Sequence, residues 1–384
     1  MKKKIKILHI IKTLNLGGAE TNLLNLVQAL DNERFEIHVA YSFGGEIEER
    51  FKAAGVKTFK YAKKNHKIKS LASLMIISRI AGYIIRNKIQ IVHTHIFNAQ
   101  IWGGIAAKLT GIKVVEHVHD FRYLDADEVR RRKGLYSQYQ YIKYFKDFSD
   151  AVVILTRQNL EFLVANKLYK KDKVHHIYNG MPIASDSMNL SDKESIKKNY
   201  HLHMDSKVVF IASRFVQPKN IDLIFRVAPV VARDIPQVIF LIAGDGELYD
   251  EFRSQCERSG LNDVVKIIGF QSNIRELLLI TDIYMSSSFL ELHSISMLEA
   301  MSMKIPVVVS DGVGSNNEFI KNWDNGVLLD PFNDQGWAEA VTKLLKEPAL
   351  MQQIGENGYQ TCVSLFDIHK TARKFEKVYD HLIR

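Results

Sequence analysis

Two glutamates, Glu291 and Glu299, are separated by seven residues in the segment SSSFLELHSISMLEAM. Glu291 falls at the end of a loop and Glu299 about two turns on, inside the following helix, so one carboxylate can reach a ligand from the loop and the other from the helix. Between them, His293, Ser294 and Ser296 suit a loop that offers hydroxyls and backbone N–H groups to a sugar or a phosphate. A Glu pair at this spacing is common in helical sequence. Its surroundings carry the argument.

Two cations, Arg214 and Lys219 in SRFVQPKN, follow the apolar run Val208–Ala212. A strand end in an open sheet faces the ligand crevice, which places both cations to receive phosphate oxygens. Gly17 and Gly18 follow the first apolar run and open the first helix, where small residues let a ligand approach the backbone and the helix N-terminus favours an anion. The dinucleotide fingerprint G-x-G-x-x-G is not matched, so no ribose-binding acid follows from these glycines. Gly244-Asp245-Gly246 ends another apolar run and reads equally as a turn. The pairs His93-x-His95, His117-x-His119 and His175-His176 lack a metal-site spacing; His93 and His95 are read as strand-end residues lining a cleft.

The elements that must position these residues alternate. In the first half, candidate strands at Ile5–Ile11, Phe35–Tyr41, Thr58–Tyr61, Ile89–His93, Lys113–Glu116, Ala151–Leu155 and Val174–Ile177 are separated by amphipathic stretches, the pattern of a parallel α/β sheet. The alternation stops at the polar segment Met181–Met204, read as a linker. It restarts with strands at Val208–Ala212, Val238–Ala243, Val264–Ile268, Ile283–Met285, Val307–Ser310 and Gly326–Leu329. The expected organisation is α/β throughout: a Rossmann-like domain over 1–180, a linker over 181–204, a second Rossmann-like domain over 205–365, and a C-terminal helix within 366–384. Ligands of such sheets sit at the carboxyl ends of the strands, and the cleft between two such domains is the natural site.

The 384 residues, 46% hydrophobic and 25% charged, exclude disordered and fibrous classes and suffice for two cores. Net charge is +9, but it is divided unevenly: residues 1–180 hold 31 Lys+Arg against 16 Asp+Glu, and residues 181–384 hold 21 against 27. The basic clusters Lys2–Lys6, Lys63–Lys69 and Arg130–Lys133, the last followed by YSQYQYIKYFKDF, suit an anionic membrane surface, although a solvated basic face reads equally well for each alone. Two cysteines, Cys256 and Cys362, fit a reducing compartment. No run of 18 apolar residues occurs, and His9 and Lys12 break the N-terminal one, so a buried first strand is expected there instead of a signal peptide.

Taken together, GGAE after the first strand, SRFVQPKN, LIAGDGEL, VKIIGF, the Glu-x7-Glu segment ending in LEAM, IPVVVSDGVGSNNE and NGVLLDP follow the order found in retaining family 4 glycosyltransferases. The chain resembles them along essentially its whole length. That resemblance implies the GT-B fold, two Rossmann-like domains facing across a cleft with the C-terminal helix returning to the N-terminal domain. It implies that Gly17 and Gly18 approach the donor diphosphate, that Arg214 and Lys219 neutralise it as it leaves, that Glu299 hydrogen-bonds the donor ribose, and that Glu291 sits beside the transferred sugar. His119 in VVEHVHDF matches a family histidine near the reaction centre, with His117 the competing assignment; Asn179-Gly180 matches the entrance to the linker. The implied catalytic set is His119, Arg214, Lys219 and Glu291. The implied donor-binding set adds Gly17, Gly18, Gly244, Phe270, Leu292, His293, Ser294, Ile295 and Glu299. One departure stands out: the family usually has a Gly-Phe-Gly-like run after the first glutamate, and here it reads Leu292-His293-Ser294. Asp125-Ala-Asp127 matches the Asp-x-Asp of metal-dependent glycosyltransferases but reads as an ordinary acidic stretch.

The expected function is transfer of a hexose-type sugar from a nucleoside diphosphate sugar, a UDP-sugar by family frequency, to a glycan or lipid-linked acceptor in bacterial surface polysaccharide synthesis. Neither metal nor cofactor is expected. The expected location is cytoplasmic, with peripheral contact at the inner face of the membrane through the basic half, and no nucleic-acid partner. The alternatives are a sugar-nucleotide epimerase of the same fold, and a catalytically silent nucleotide-sugar or nucleic-acid binding protein.

Overall fold

A computed structural model of the chain describes residues 3–15, 17–62, 71–119, 146–183 and 190–384. The chain forms two compact units, Met1–Pro182 together with Ile368–Arg384, and Ile183–Asp367. Asp125, Asp127, Lys63–Lys69 and Arg130–Lys133 lie outside the described residues.

In the first unit, β1 (Ile5–Ile10), β2 (Phe35–Tyr41), β3 (Lys57–Lys60), β4 (Ile91–His95), β5 (Lys113–His117), β6 (Ala151–Ile154) and β7 (Val174–His176) form one sheet in the order β3-β2-β1-β4-β5-β6-β7. Every pairing is parallel. In the second unit, β8 (Lys207–Ala212), β9 (Val238–Ala243), β10 (Val265–Ile267), β11 (Ile283–Ser286), β12 (Val307–Ser310) and β13 (Val327–Leu329) are ordered β10-β9-β8-β11-β12-β13, again all parallel. Helices cover both faces of such sheets, so their central strands read as unbroken apolar runs; all six residues of β9, VIFLIA, are buried. Strand order reverses between β1 and β4 in one sheet and between β8 and β11 in the other. At such switch points an open sheet leaves a crevice beyond its strand ends.

The C-terminal helix Ile368–Ile383 belongs to the first unit. Its apolar stripe, including Ala372, Phe375, Val378 and Tyr379, packs into a core with Ile7, Ile91, Val115 and Val153. Arg34 fastens its outer side through Glu376 at 3.1 Å and Asp380 at 2.7 Å. At its start, the Ile368 N–H donates to the Met181 carbonyl at 3.0 Å.

The segment read as a linker contains a helix, Leu190–Asn199, that belongs to the second unit. Ile196 within it and Leu202 just after it are buried apolar anchors, too few to print a helical period on an otherwise polar sequence. A further helix, Pro348–Leu365, lies where the sequence suggested no element; it buries Ile354 and Cys362, and its Gly355 and Gly358 weaken the pattern.

Candidate active site

At the switch point of the second unit, the chain leaves β8 and makes a single 3₁₀ turn, Gln217–Lys219. Pro218, second in that turn, loses no needed N–H there, and Asn220, in the left-handed region at φ 49°, ends it. The Ser287 hydroxyl donates to the Asn220 carbonyl at 2.9 Å and the Phe289 N–H to the Pro218 carbonyl at 2.8 Å. The turn after β8 is thereby tied to the loop after β11. The tie brings Lys219 Nζ onto Glu291 Oε2 as an ion pair, while the other carboxylate oxygen accepts the Leu292 N–H at 3.2 Å. Arg214 is exposed and has no carboxylate partner among the described residues.

Two glycines shape this frame from behind. Gly244, at φ 149°, lies where a Cβ would come within 1.8 Å of the Ser213 carbonyl oxygen, so only glycine lets the turn after β9 support the segment carrying Arg214. Gly314, at φ 59°, lies against the Glu291 carbonyl, where a Cβ would sit at 2.2 Å. The next residue completes the clamp: both the N–H and the hydroxyl of Ser315 donate to the Leu292 carbonyl, each at 2.9 Å.

Glu299 lies on the second turn of the helix Ile295–Ser302, which Ser294 caps by accepting the Met297 N–H at 3.3 Å. Beneath it, the Tyr284 phenol meets the Ser296 hydroxyl at 2.7 Å. Burial pushes the Tyr284 hydroxyl up to about 12, and the charges of Glu291 and Glu299 act in the same direction. Both carboxylates therefore sit within electrostatic reach of one buried phenol.

In the first unit, Gly17 caps the helix Gly18–Ala29, and Glu20 folds back so that its Oε2 would lie 2.6 Å from a Cβ on Gly17. The other oxygen accepts from the Thr13 hydroxyl at 3.0 Å, and burial raises the Glu20 pKa. An internal carboxylate thus already meets this helix N-terminus.

Histidines gather at the strand ends beside it. Register places His9 of β1 opposite His93 of β4, and His95 opposite His117 of β5. His93 and His95 are fully buried, a correction to their reading as residues lining a cleft, and the Tyr379 phenol meets His93 Nδ1 at 2.7 Å. Ring nitrogens of His9, His93 and His95, and of His95, His117 and His119, lie within 4.8 Å of one another in each triplet. Burial holds His9 near 3 and His119 near 4, and lowers His93, His95 and His117 well below the ordinary imidazole value. All five are neutral rings at pH 7.

The Glycosyltransferase Family 4 profile matches residues 16–185, and the Glycosyl transferases group 1 profile matches residues 192–361. The chain is a family 4 glycosyltransferase. It is 25% identical to the Escherichia coli UDP-Gal:alpha-D-GlcNAc-diphosphoundecaprenol alpha-1,3-galactosyltransferase, over 99% of this chain and 98% of that one. Identity to the Staphylococcus aureus capsular polysaccharide biosynthesis glycosyltransferase CapH is 22%, over 98% of each. Among solved structures, Anabaena Alr3699/HepE in complex with UDP and glucose superposes with a TM-score of 0.83 at 19% identity, covering 98% of this chain and 99% of that one. The fold of this glycosyltransferase is GT-B.

Within the glycosyltransferase, the anticipated residues are arranged unevenly. Lys219 and Glu291 are in direct contact, with Ser294 and Ile295 opening the helix that carries Glu299. Phe270 is about half exposed, just after Gly269, whose carbonyl accepts the Gly244 N–H at 2.8 Å. Leu292 and His293 are buried instead, and the His293 ring packs edge-on against Phe366 at 5.1 Å between centroids. The bulky pair that replaces the usual glycine-rich run is thus absorbed into the core. Sequence reasoning missed Tyr284, Gly314 and Ser315; the Gly-x-Gly-Ser of DGVGSNN was the available sign of a close backbone approach.

Proposed function

We propose that this glycosyltransferase moves a hexose from a UDP-sugar to a glycan or lipid-linked acceptor in surface polysaccharide synthesis, with retention at the anomeric carbon and without a metal. The observation that carries the reading is the cationic corner after β8, where Lys219 is ion-paired with Glu291 at a sheet switch point and exposed Arg214 lies two residues beyond the strand. The uridine donor is further supported by the names of relatives, one using UDP-Gal and one crystallised with UDP and glucose.

In this reading the bond from the anomeric carbon to the diphosphate oxygen breaks and the acceptor oxygen bonds to that carbon on the same face. The acceptor proton passes to the departing phosphate oxygen. Negative charge grows on the leaving diphosphate, and Arg214 and Lys219, fixed before the reaction, stabilise it. Glu291 keeps Lys219 in place and orients the sugar through its hydroxyls, so it is not a nucleophile. Glu299 accepts from the ribose, and His119 belongs to the reaction centre on the family resemblance.

The membrane part of the proposal gains support from the helix Leu71–Asn87. Leu74, Met75 and Ile85 are exposed on it beside Arg79 and Arg86, directly after the basic segment 63–69. Apolar residues flanked by arginines suit the interface of an anionic leaflet. Neutralising Lys63, Lys64 and Arg130–Arg132 should reduce binding to anionic liposomes; unchanged binding contradicts the membrane contact.

The chemistry is tested by incubating the chain with a UDP-hexose and a polyprenyl diphosphate sugar in the presence of EDTA. The expected product carries an axial linkage by its anomeric proton coupling. Consumption of donor without acceptor would indicate an epimerase instead.

A further inference from the structure

The five-histidine cluster contains a hydrogen-bonded line that ends on His119. His9 Nδ1 lies 3.0 Å from His95 Nε2, and His95 Nδ1 lies 3.0 Å from His119 Nε2. The rings are nearly parallel, at 27° for the first pair and 30° for the second. A neutral imidazole has one N–H and one lone pair, so two successive bonds through His95 must both run in the same direction. Once the tautomer of one ring is set, the other two follow.

The buried end decides the direction. His9 Nε2 has no hydrogen-bond partner among the described residues. Were the line to run from His119 toward His9, that atom would carry a buried, unpaired N–H, and orphaned donors are the costlier and rarer case. Running the other way leaves only an unpaired lone pair there. His9 then donates from Nδ1 to His95 Nε2, and His95 donates from Nδ1 to His119 Nε2.

We propose that His9 and His95 are positioning residues that lock His119 in its Nδ1–H tautomer, so that the ring meets its ligand as a hydrogen-bond donor to oxygen, with its Nε2 lone pair already engaged. His119 therefore serves a sugar or acceptor oxygen as a donor and does not take a proton through Nε2. The His93 ring lies 4.3 Å from that of His95, and the His117 ring 3.9 Å from that of His119; both stack on the line without joining it. Among the described residues, the other titratable group against the cluster is Tyr379, which bonds His93 and stays protonated because burial raises its pKa. The functional part of this inference rests on the transfer reading above; the tautomer does not.

The test is imidazole ¹⁵N correlation spectroscopy of the full chain at neutral pH, with His119 assigned by substitution. The expected spectrum shows His119 protonated at Nδ1. His95→Leu should release it to a mixture containing the Nε2–H form and lower kcat roughly tenfold or more with little change in donor KM, since a mispositioned donor acts on the transition state. His95→Asn, whose amide N–H occupies the Nδ1 position, should restore both. An Nε2–H tautomer in the wild-type chain, or a His119 tautomer indifferent to His95→Leu, overturns the proposal. Should His119→Ala keep full turnover while the wild-type tautomer is Nδ1–H, the relay is upheld and the role of His119 in transfer falls; the converse pair of results removes the relay and leaves that role standing.

Discussion

Lys219 and Glu291, 72 residues apart in the chain, form an ion pair that joins the turn after β8 to the loop after β11. The lysine is therefore immobilised before any anion arrives, and the carboxylate shares it with whatever anion comes. Removing the lysine, as in Lys219→Ala, should lower turnover by on the order of 10²–10³, the usual cost of one preorganised electrostatic contact. Glu291→Gln separates the roles: it frees Lys219, so UDP should bind at least as tightly as in the wild type, while turnover of the sugar nucleotide falls. Calorimetry of UDP beside steady-state kinetics checks both; weakened UDP binding in Glu291→Gln would show that the carboxylate holds the lysine in place more than it competes for it.

Gly314→Ala should act at a distance from any ligand. Its φ of 59° and a Cβ 2.2 Å from the Glu291 carbonyl force the loop to move, and the strain has backbone on both sides. A fall in donor affinity of tenfold or more with intact secondary structure by circular dichroism is the expected outcome. Equal affinity would show that the loop can shift without cost.

Much of this frame was legible in the residues. The parallel alternation is plain in runs such as VIFLIA; Arg214 and Lys219 stand out by their place just after the run Val208–Ala212, and Glu291 and Glu299 by their spacing across a loop and the following helix. What escaped has a physical reason in each case. The helix Leu190–Asn199 rests on few apolar anchors, so no period marked it. Tyr284 sits in the expected strand Ile283–Met285, where nothing in the sequence marks its hydroxyl, yet that hydroxyl meets Ser296 in the first turn of the following helix. Register alone brought His9 opposite His93, and nothing in the sequence fixes register across 84 residues.

Acid should destabilise the first unit early. Buried histidines there titrate far below 6.5, to about 3 for His9 and about 4 for His119. Their contribution is complete above the unfolded pKa near 6.5 and is lost as pH falls from there toward the folded values, because only the unfolded chain takes up the protons. Each such histidine steepens the loss by up to about 1.4 kcal/mol per pH unit. Hydrogen exchange in β1, β4 and β5 between pH 7 and pH 5 should reveal it, and His9→Leu should flatten the slope. A slope unaffected by that substitution would remove the histidines as its cause.

The C-terminal helix should be a structural necessity of the first unit. Phe375 and Tyr379 are buried in its core, and Tyr379 also satisfies His93. Phe375→Ala should cost about 3–5 kcal/mol, and Tyr379→Phe about 1–3 kcal/mol by leaving His93 Nδ1 unpaired. Arg34→Ala, losing an exposed pair, should cost roughly 1 kcal/mol or less. Urea denaturation of the three variants gives the order directly; a larger loss for Arg34→Ala than for Phe375→Ala would contradict the packing account.

The central claim is that the corner after β8 receives a nucleoside diphosphate. Isothermal titration of UDP into the wild-type chain and into Arg214→Ala, Lys219→Ala and the double variant tests it without needing the acceptor. Binding should weaken at least tenfold for each single substitution and fall below detection for the double, with all four proteins melting cooperatively. UDP binding of equal strength in the wild type and the double variant would contradict it.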